Sequence, residues 1–133
     1  MNNIVGIGVD IVEISRVKTI LERHGEHFLS RVFTEAETRY SMNSANAAEK
    51  LAADFAVKEA VLKALDVGKS SGITWKDIET VRSSSGKPVV RLYNQAMRRL
   101  EGKNGGAIHV SISHDGGKAI AFTIVERKAV EDQ

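Results

Sequence analysis

A long helical pattern over residues 45 to 66 constrains the fold of this chain more than any other feature. Four large apolar side chains recur there at helical spacing and predict one apolar stripe. The stripe consists of Leu51, Phe55, Leu62 and Leu65. Alanines fill its flanks, and such small side chains allow another element or a ligand to approach the helix closely. The pattern therefore predicts a long helix that packs against other elements through this stripe.

Residues 4 to 12 alternate between two faces, as the side chains of a β-strand do. One face carries Val5, Ile7, Val9 and Ile11. The other face carries Gly6, Gly8 and Asp10, so it is bare backbone followed by one carboxylate. A carboxylate in an apolar strand is costly unless it is paired, hydrogen-bonded or bound to a cation. Asp10 is therefore a candidate cation ligand. The alternative is a strand-end Asp that faces water or caps the next helix.

The other elements are a mixture of helices and hairpin-linked strands. A helix is predicted over 13 to 24, ending near Gly25, and the capping box Thr34-Glu35-Ala36-Glu37 should start a short one. The further predictions are strands over 78–82, 88–92, 108–113 and 119–125, turns at 83–86 and 115–117, and a helix over 94–102. Because no regular βαβ rhythm joins these elements, we expect an α+β fold. We expect one domain over 1–128 and a C-terminal tail over 129–133.

Composition excludes several classes of protein. The chain has 133 residues and no cysteine, so disulfides, thiolate metal sites and a cysteine nucleophile are ruled out. The formal net charge is only +2 without a clustered surplus of cations, which argues against a nucleic-acid partner. Since no segment has the length of apolar sequence that spans a bilayer and the N-terminus lacks the features of a signal peptide, we expect a cytoplasmic protein without a membrane partner.

Glu59 is the second candidate cation ligand. It shares a flank of the long helix with Ala52, Ala56 and Lys63, which are spaced at three and four residues. A Glu among small alanines lies where a ligand can come close. The alternative is an ordinary exposed pair between Glu59 and Lys63 at i, i+4.

Two further segments place polar groups at the ends of strands. Ser113 and His114 end a strand before a Gly-Gly turn, where binding sites often lie, although a solvated turn has the same pattern. The turn Gly86-Lys87-Pro88 presents a cation beside a glycine and so can bind phosphate, although a plain turn is the alternative. Neither segment has the glycine spacing of a Walker loop.

Five blocks, taken together and in order, resemble the holo-acyl-carrier-protein synthases, which are small single-domain phosphopantetheinyl transferases. The opening block, 6–16, reads Gly-Ile-Gly-Val-Asp-Ile-Val-Glu-Ile-Ser-Arg, and the block at 33–37 reads Phe-Thr-Glu-Ala-Glu. The central block, 55–65, reads Phe-Ala-Val-Lys-Glu-Ala-Val-Leu-Lys-Ala-Leu. Gly-Lys-Pro at 86–88 and Val-Ser-Ile-Ser-His at 110–114 complete the set. The resemblance covers essentially the whole chain, and its opening and central blocks are the specific ones.

The resemblance implies a role for each candidate residue. It implies that Asp10 and Glu59 bind Mg²⁺, with Mn²⁺ as a substitute, and that Arg16 belongs to the surface that receives the acidic acyl carrier protein. The groups that it places around coenzyme A are Lys63, Gly86, Lys87, Pro88, Ser113 and His114. One departure matters, because the position before Phe55 is often Arg in this family and is Asp54 here. A phosphate contact made by that Arg must be lost or supplied elsewhere, with Lys50 and Lys69 as candidates.

The implied reaction moves the 4'-phosphopantetheine arm of coenzyme A to a serine of the apo carrier protein, and adenosine 3',5'-bisphosphate leaves. This is a step that prepares the carrier for fatty acid biosynthesis. The proton acceptor stays open among Glu59, a water held by the metal, and His114, so the candidate catalytic residues are Asp10, Glu59 and His114. Another metal-dependent enzyme acting on a phosphoanhydride, such as a nucleotide pyrophosphatase, is the main alternative. A non-catalytic binding module is less consistent with two carboxylates in apolar or alanine-rich surroundings.

The resemblance also implies a homotrimer with active sites at the subunit interfaces. The predicted strand over 119–125 is apolar on both faces except for Thr123, which favours burial on both sides. The alternative is that a helix of the same chain covers the sheet.

Overall fold

The fold is α+β, as predicted from the mixed pattern of elements. The structure is a computed structural model, and it describes residues 2–68 and 71–130. In chain order the elements are β1 (Ile4–Glu13), α1 (Ile14–Val32), α2 (Glu35–Met42), α3 (Ala47–Ala64), a 3₁₀ turn (Trp75–Asp77), β2 (Ile78–Arg82), β3 (Pro88–Leu92), α4 (Asn94–Gly102), β4 (Gly105–Asp115) and β5 (Lys118–Arg127). The hairpin strands β2 and β3 and the helix α4 begin and end where the sequence predicts them.

A three-stranded antiparallel sheet in the order β1-β5-β4 carries α3 across one face, and β2 and β3 form a separate hairpin. The bare backbone of β1 allows α3 to lie directly against the strand. A Cβ on Gly8 would stand 1.9 Å from the Ala60 carbonyl oxygen, and one on Gly6 would stand 1.8 Å from that of Ala64. Only glycine fits at these two positions. The glycine face of β1 is therefore the face that meets the helix.

The apolar stripe predicted on α3 packs in or against the core but is only part of the helix's buried surface. Leu51 and Leu65 are buried as expected, but Phe55 and Leu62 are only half-buried. The alanines predicted to flank the stripe are buried as well: Ala52, Ala53, Ala56, Ala60 and Ala64. The physical reason is that β1, β5, α1, α2 and β2 all pack against this helix. A helix covered on most of its circumference has no polar face from which a stripe can be recognised.

The opposite face of the sheet is apolar and open. Its apolar members are Ile7, Val9, Ile11, Ile120, Phe122 and Ile124, which lie in adjacent register on β1 and β5. Ile7, Val9 and Ile11 are 49–57% exposed, and Phe122 is 40% exposed. Val5 was predicted to share this face, but a register shift between Ile4 and Gly6 leads it to pack against the core instead. We call these six residues the open face.

The first helix is longer than predicted. The expected break at Gly25 is present, since that residue has φ 36° and ψ −116°, values that a glycine adopts readily. The chain then resumes a helix as far as Val32, whereas the pattern had indicated an end near Gly25. This second segment brings Phe28 against Phe33, with 5.4 Å between the ring centroids.

The local turn and cap signals are confirmed. Thr34 accepts a hydrogen bond from the Glu37 N–H and its own N–H donates to the Glu37 carboxylate, which completes the capping box. Gly116 and Gly117 both have positive φ in the β4–β5 hairpin, as a tight turn of this kind requires. Residues 131–133 of the expected tail lie outside the described residues. No helix within the described part of the chain has the length and apolar character needed to cross a membrane.

Candidate active site

The structure brings the two predicted cation ligands together. Asp10 lies on the helix side of β1, two residues beyond Gly8, and Glu59 precedes Ala60 on α3, where the Gly8 backbone touches the helix. Burial raises the pKa of Glu59, and the negative charge of Asp10 raises it further, while Lys63 opposes both effects. A pKa raised by a neighbouring carboxylate indicates that the two groups share one electrostatic environment.

Lys63 joins this pair as its counter-ion. Its Nζ donates to Asp10 Oδ1 at 3.0 Å and to the Val9 carbonyl oxygen at 2.9 Å. The alternative of a simple helical pair between Glu59 and Lys63 therefore does not describe the site, because the ammonium binds β1 across the interface. Among the described residues, no hydrogen bond or ion pair engages the Glu59 carboxylate.

Two cavities meet at Glu59. The first, which we call the Arg16 cavity, has a volume of about 540 Å³, and its polar lining includes Asp10, Glu13, Arg16, Glu59 and Lys118. The second, which we call the Trp75 cavity, has a volume of about 610 Å³ and is lined by Glu59, Leu62, Lys63, Val67, Gly68, Ser71, Ile73 and Trp75. Glu59 lies in the wall of both cavities, so its carboxylate can act on a molecule bound in either one.

The oxygen atoms at this site fit a hard divalent cation that takes most of its ligands from water and substrate. Within residues 2–68 and 71–130, no group of three or more His, Asp or Glu side chains is arranged to hold a metal ion. Asp10 and Glu59 offer two carboxylates from different elements, and the Val9 carbonyl oxygen accepts from the same ammonium as Asp10 does. Mg²⁺ is commonly held by one or two carboxylates together with waters and substrate phosphates, so these residues fit it.

Comparison with known proteins decides the family. A family model described as the 4'-phosphopantetheinyl transferase superfamily matches residues 6–123, which include Asp10, Glu59 and Lys63. The chain belongs to this superfamily. It is 42% identical over 123 residues to the holo-[acyl-carrier-protein] synthase of Koribacter versatilis, covering 92% of this chain and 98% of that protein. The resemblance recognised in the sequence is confirmed.

Solved structures from the family have the same fold. The holo-[acyl-carrier-protein] synthase of Neisseria meningitidis superposes with a TM-score of 0.84 at 27% identity, covering 93% of this chain and 99% of that one. The Helicobacter pylori holo-[acyl-carrier-protein] synthase, solved in complex with coenzyme A, superposes with a TM-score of 0.78 at 33% identity, covering 90% and 98%. The chain thus spans almost the whole length of these relatives.

Five of the predicted site residues do not reach Glu59 within one chain. His114 lies 3.0 Å from Glu49 on the first turns of α3, ten residues and about 15 Å along the helix axis from Glu59. Ser113 is exposed and lies on the same side of the sheet as the open face. Gly86, Lys87 and Pro88 form the β2–β3 turn, in which the Gly86 N–H donates to the Ser83 carbonyl oxygen at 2.8 Å. Among the described residues, the walls of the two cavities include none of these five.

Asp54, the departure from the family pattern, is buried and bound by an arginine from another element. Arg82 Nη2 lies 3.2 Å from Asp54 Oδ1, and Arg82 and Lys50 both approach the Tyr40 ring, at 5.2 and 4.9 Å from its centroid. Burial raises the pKa of Asp54 to about 7, with a contribution from Glu37, and the nearby cations only partly offset this. Lys69, the other candidate for the missing cation, lies outside the described residues.

Sequence reasoning missed the buried lysine beside Glu59. Lys58 Nζ donates to Glu37 Oε1 at 2.8 Å and also to the carbonyl oxygens of Trp75 and Ile78, and neither Lys58 nor Glu37 has an exposed side chain. This set of bonds ties α3 to α2 and to the 3₁₀ turn that carries Trp75. In the sequence, the capping box already explains a Glu at position 37. Nothing in the sequence indicates that this carboxylate also accepts hydrogen bonds from a lysine and from the Thr80 N–H.

Proposed function

We propose that this chain transfers the 4'-phosphopantetheine group from coenzyme A to a serine of apo acyl carrier protein, in a reaction that depends on Mg²⁺. The observation that carries the proposal is the position of Glu59, beside Asp10 and in the wall of two cavities. A transfer between two substrates needs both to reach one charged centre, and this arrangement provides it. Membership of the superfamily and the coenzyme A complex of the Helicobacter pylori relative support the same reaction.

Asp10 and Glu59 would hold the cation. A bound Mg²⁺ supplies positive charge to the phosphoryl oxygens, where negative charge accumulates during attack on phosphorus. Asp10 is fixed by β1 and Glu59 by α3, so the spacing of the two carboxylates is set by the glycine contact between these elements. The rigidity of that contact keeps the ligand oxygens in place before substrate arrives.

Glu59 is proposed to accept the proton of the carrier serine. The carrier serine oxygen forms a bond to the phosphorus that bears pantetheine, the pyrophosphate P–O bond breaks, and adenosine 3',5'-bisphosphate leaves. The serine proton must go to a base, and Glu59 is the carboxylate that lies in the wall of both cavities, within reach of molecules bound in either. His114 of the same chain lies near Glu49 and is too distant for this role.

The coenzyme A side of the site is proposed to be completed by a second copy of the chain. Ser113 lies on the same side of the sheet as the open face, so it becomes available to a neighbouring copy if two copies pack through that face. In such an assembly, His114 and the Gly86-Lys87-Pro88 turn of one subunit would approach the site of the next. Contiguous apolar surface of this kind is rare on monomers and marks interaction sites. We therefore propose a homotrimer with shared sites. Lys50 and Arg82, which flank Tyr40, are candidates for the phosphate contact that Asp54 cannot make.

Arg16 is proposed to receive the acidic carrier protein. It is exposed on the first turn of α1 and lines the Arg16 cavity with Asp10 and Glu59. A cation at this rim attracts an acidic partner and acts mainly on the association rate. Arg16→Glu should therefore raise the KM for carrier protein several-fold and leave coenzyme A binding unchanged. A cytoplasmic location remains part of the proposal and is based on the sequence alone.

Mass spectrometry of the carrier protein tests the reaction directly. Apo acyl carrier protein is mixed with this protein, coenzyme A and Mg²⁺, and the carrier should gain the mass of one phosphopantetheine. A carrier whose acceptor serine is replaced by alanine is the matched control and should gain none. Cleavage of coenzyme A with no change in the carrier's mass would contradict transfer and would identify a phosphoanhydride hydrolase instead.

A further inference from the structure

Lys63 already occupies oxygens that a hard cation prefers. Its ammonium binds one carboxylate oxygen, Asp10 Oδ1, and one carbonyl oxygen, that of Val9. Carboxylate and backbone carbonyl oxygens are typical ligands of hard cations. The side chain of Asp10 is 19% exposed and that of Lys63 is 55% exposed, so the ammonium approaches the carboxylate from the solvent side.

Charge repulsion at the site disfavours two cations at Asp10. Two carboxylates, Asp10 and Glu59, share their surroundings with one ammonium. A divalent cation and an ammonium at hydrogen-bond distance from the same carboxylate repel each other, and solvent at this partly exposed site weakens the repulsion without cancelling it. Binding of the divalent cation therefore works against the contact between Lys63 and Asp10.

We infer that Lys63 competes with the divalent cation for Asp10 and leaves Asp10 when that cation binds. This inference rests on the proposed function, since it assumes that Asp10 and Glu59 hold the metal. Lys63 neutralises Asp10 in the metal-free protein, and the divalent cation displaces its ammonium from that carboxylate. An ion pair that is half-exposed contributes little to stability, so its loss costs the fold little.

The Trp75 cavity can receive the released ammonium. Lys63 lines the Trp75 cavity together with Gly68, Ser71 and Trp75. A lysine with more than half of its side chain exposed can turn into this cavity and meet phosphate oxygens there as a point charge. The divalent cation and a phosphate ligand then favour each other's binding, and linkage requires the coupling to be equal in both directions.

Mn²⁺ binding to the protein alone tests the competition. Mn²⁺ is titrated into the parent and into Lys63→Met without substrate, and free Mn²⁺ is measured by electron paramagnetic resonance. Removing a competing unit charge beside a divalent ion should tighten binding about 3- to 10-fold. Lys103→Met, which removes a lysine at the end of α4, is the matched control and should bind Mn²⁺ like the parent. Equal or weaker binding by Lys63→Met overturns the inference.

A phosphate probe tests the destination of Lys63. With adenosine 3',5'-bisphosphate present, the parent should gain more affinity for Mn²⁺ than Lys63→Met does, because only the parent has an ammonium to transfer from Asp10 to phosphate. An equal gain in the two proteins overturns this part. If Lys63→Met fails to fold, Lys63→Gln is used for both titrations.

The outcomes separate this inference from the proposed function. The proposed function fails if the carrier gains no mass, or if Asp10→Asn binds Mn²⁺ as the parent does. The competition fails if transfer occurs and the parent binds Mn²⁺ through Asp10, yet Lys63→Met shows no tighter binding. A shift of the ¹⁵N resonance of the Lys63 ammonium on addition of diamagnetic Mg²⁺ supports the competition, and an unchanged resonance at saturating Mg²⁺ contradicts it.

Discussion

Gly8 and Ala60 touch through their backbones, and this contact sets the distance between the two candidate metal ligands. A Cβ on Gly8 would stand 1.9 Å from the Ala60 carbonyl oxygen, far inside contact distance. Asp10 lies two residues beyond Gly8 on β1 and Glu59 directly precedes Ala60 on α3, so this close approach of strand and helix lies beside both carboxylates.

The first prediction concerns this contact. Gly8→Ala should force β1 and α3 apart and lower the free energy of unfolding by about 1 to 3 kcal/mol, the usual cost of overpacking a close contact. It should also lower the transfer rate at temperatures where the variant is folded, because Asp10 and Glu59 move apart. Urea unfolding and carrier mass gain are the measurements. Gly102→Ala, at the end of α4 where an added Cβ meets nothing within 4 Å, is the control and should lower neither the stability nor the transfer rate.

Local rules predict most of the element boundaries. The capping box at Thr34, the positive-φ glycines of the two hairpins and the alternation of β4 each depend on a few neighbouring residues, and each is confirmed. The glycine face of β1 is also visible in the sequence, because glycines at alternate positions of a strand leave bare backbone on one side. The helix after Gly25 was missed, since a glycine break resembles a helix end until the next segment packs.

Long-range partners could not be predicted from spacing. Lys63 binds Asp10 across 53 residues, whereas the local alternative placed it with Glu59 four residues away. Lys58 gave no signal of burial, because a lysine is assigned to the surface unless its partner is known. The missing information in both cases was which strand or helix faces α3, and that is a property of packing rather than of periodicity.

The second prediction is metal dependence at two carboxylates. Excess chelator should abolish transfer, and Mg²⁺ or Mn²⁺ should restore it. Asp10→Asn and Glu59→Gln should stay folded and each lower the transfer rate on the order of a hundredfold, since each removes charge stabilisation from the reacting centre. The rate of carrier mass gain is the measurement. Glu101→Gln, an exposed carboxylate on α4, should behave as the parent, and full activity in chelator would refute the two-carboxylate site.

The third prediction concerns the buried pair of Lys58 and Glu37. Lys58→Met leaves the Glu37 carboxylate buried without its cation, so the free energy of unfolding should fall by about 3 to 5 kcal/mol. The double variant Lys58→Met with Glu37→Gln removes the unpaired charge and should recover part of that loss. Urea unfolding of the parent, of Lys58→Met, of Glu37→Gln and of the double variant measures the coupling between Lys58 and Glu37. A double variant no more stable than Lys58→Met alone would contradict an uncompensated charge as the cause.

The fourth prediction is a pH dependence of stability caused by Asp54. Its pKa is raised to about 7 in the folded protein, so the folded state holds this proton more tightly than the unfolded state does. The associated stability is present in full below the unfolded pKa near 4 and is lost as pH rises through about 7. Asp54→Asn cannot lose a proton and should lack this decline.

The difference in stability between Asp54→Asn and the parent isolates this effect. It should shift in favour of the variant between pH 4 and pH 8, by up to about 4 kcal/mol, since each pKa unit corresponds to about 1.4 kcal/mol. Urea unfolding at several pH values gives the curve. Because both proteins share every other titrating group, a difference that does not change with pH would show that Asp54 has an ordinary pKa.

The last prediction concerns the open face and the proposed trimer. Phe122 lies near the centre of the six apolar residues, paired with Val9 on β1, and is 40% exposed. Phe122→Glu should leave the single chain folded, because the charge faces solvent there, and should prevent association because it places a carboxylate inside an apolar interface. Light scattering at micromolar concentration should give three subunits for the parent and one for the variant. Met97→Glu, at an equally exposed methionine on α4, should keep the parent's mass. If the site is shared between subunits, the monomeric variant also loses transfer activity, whereas an active monomer would refute the shared site.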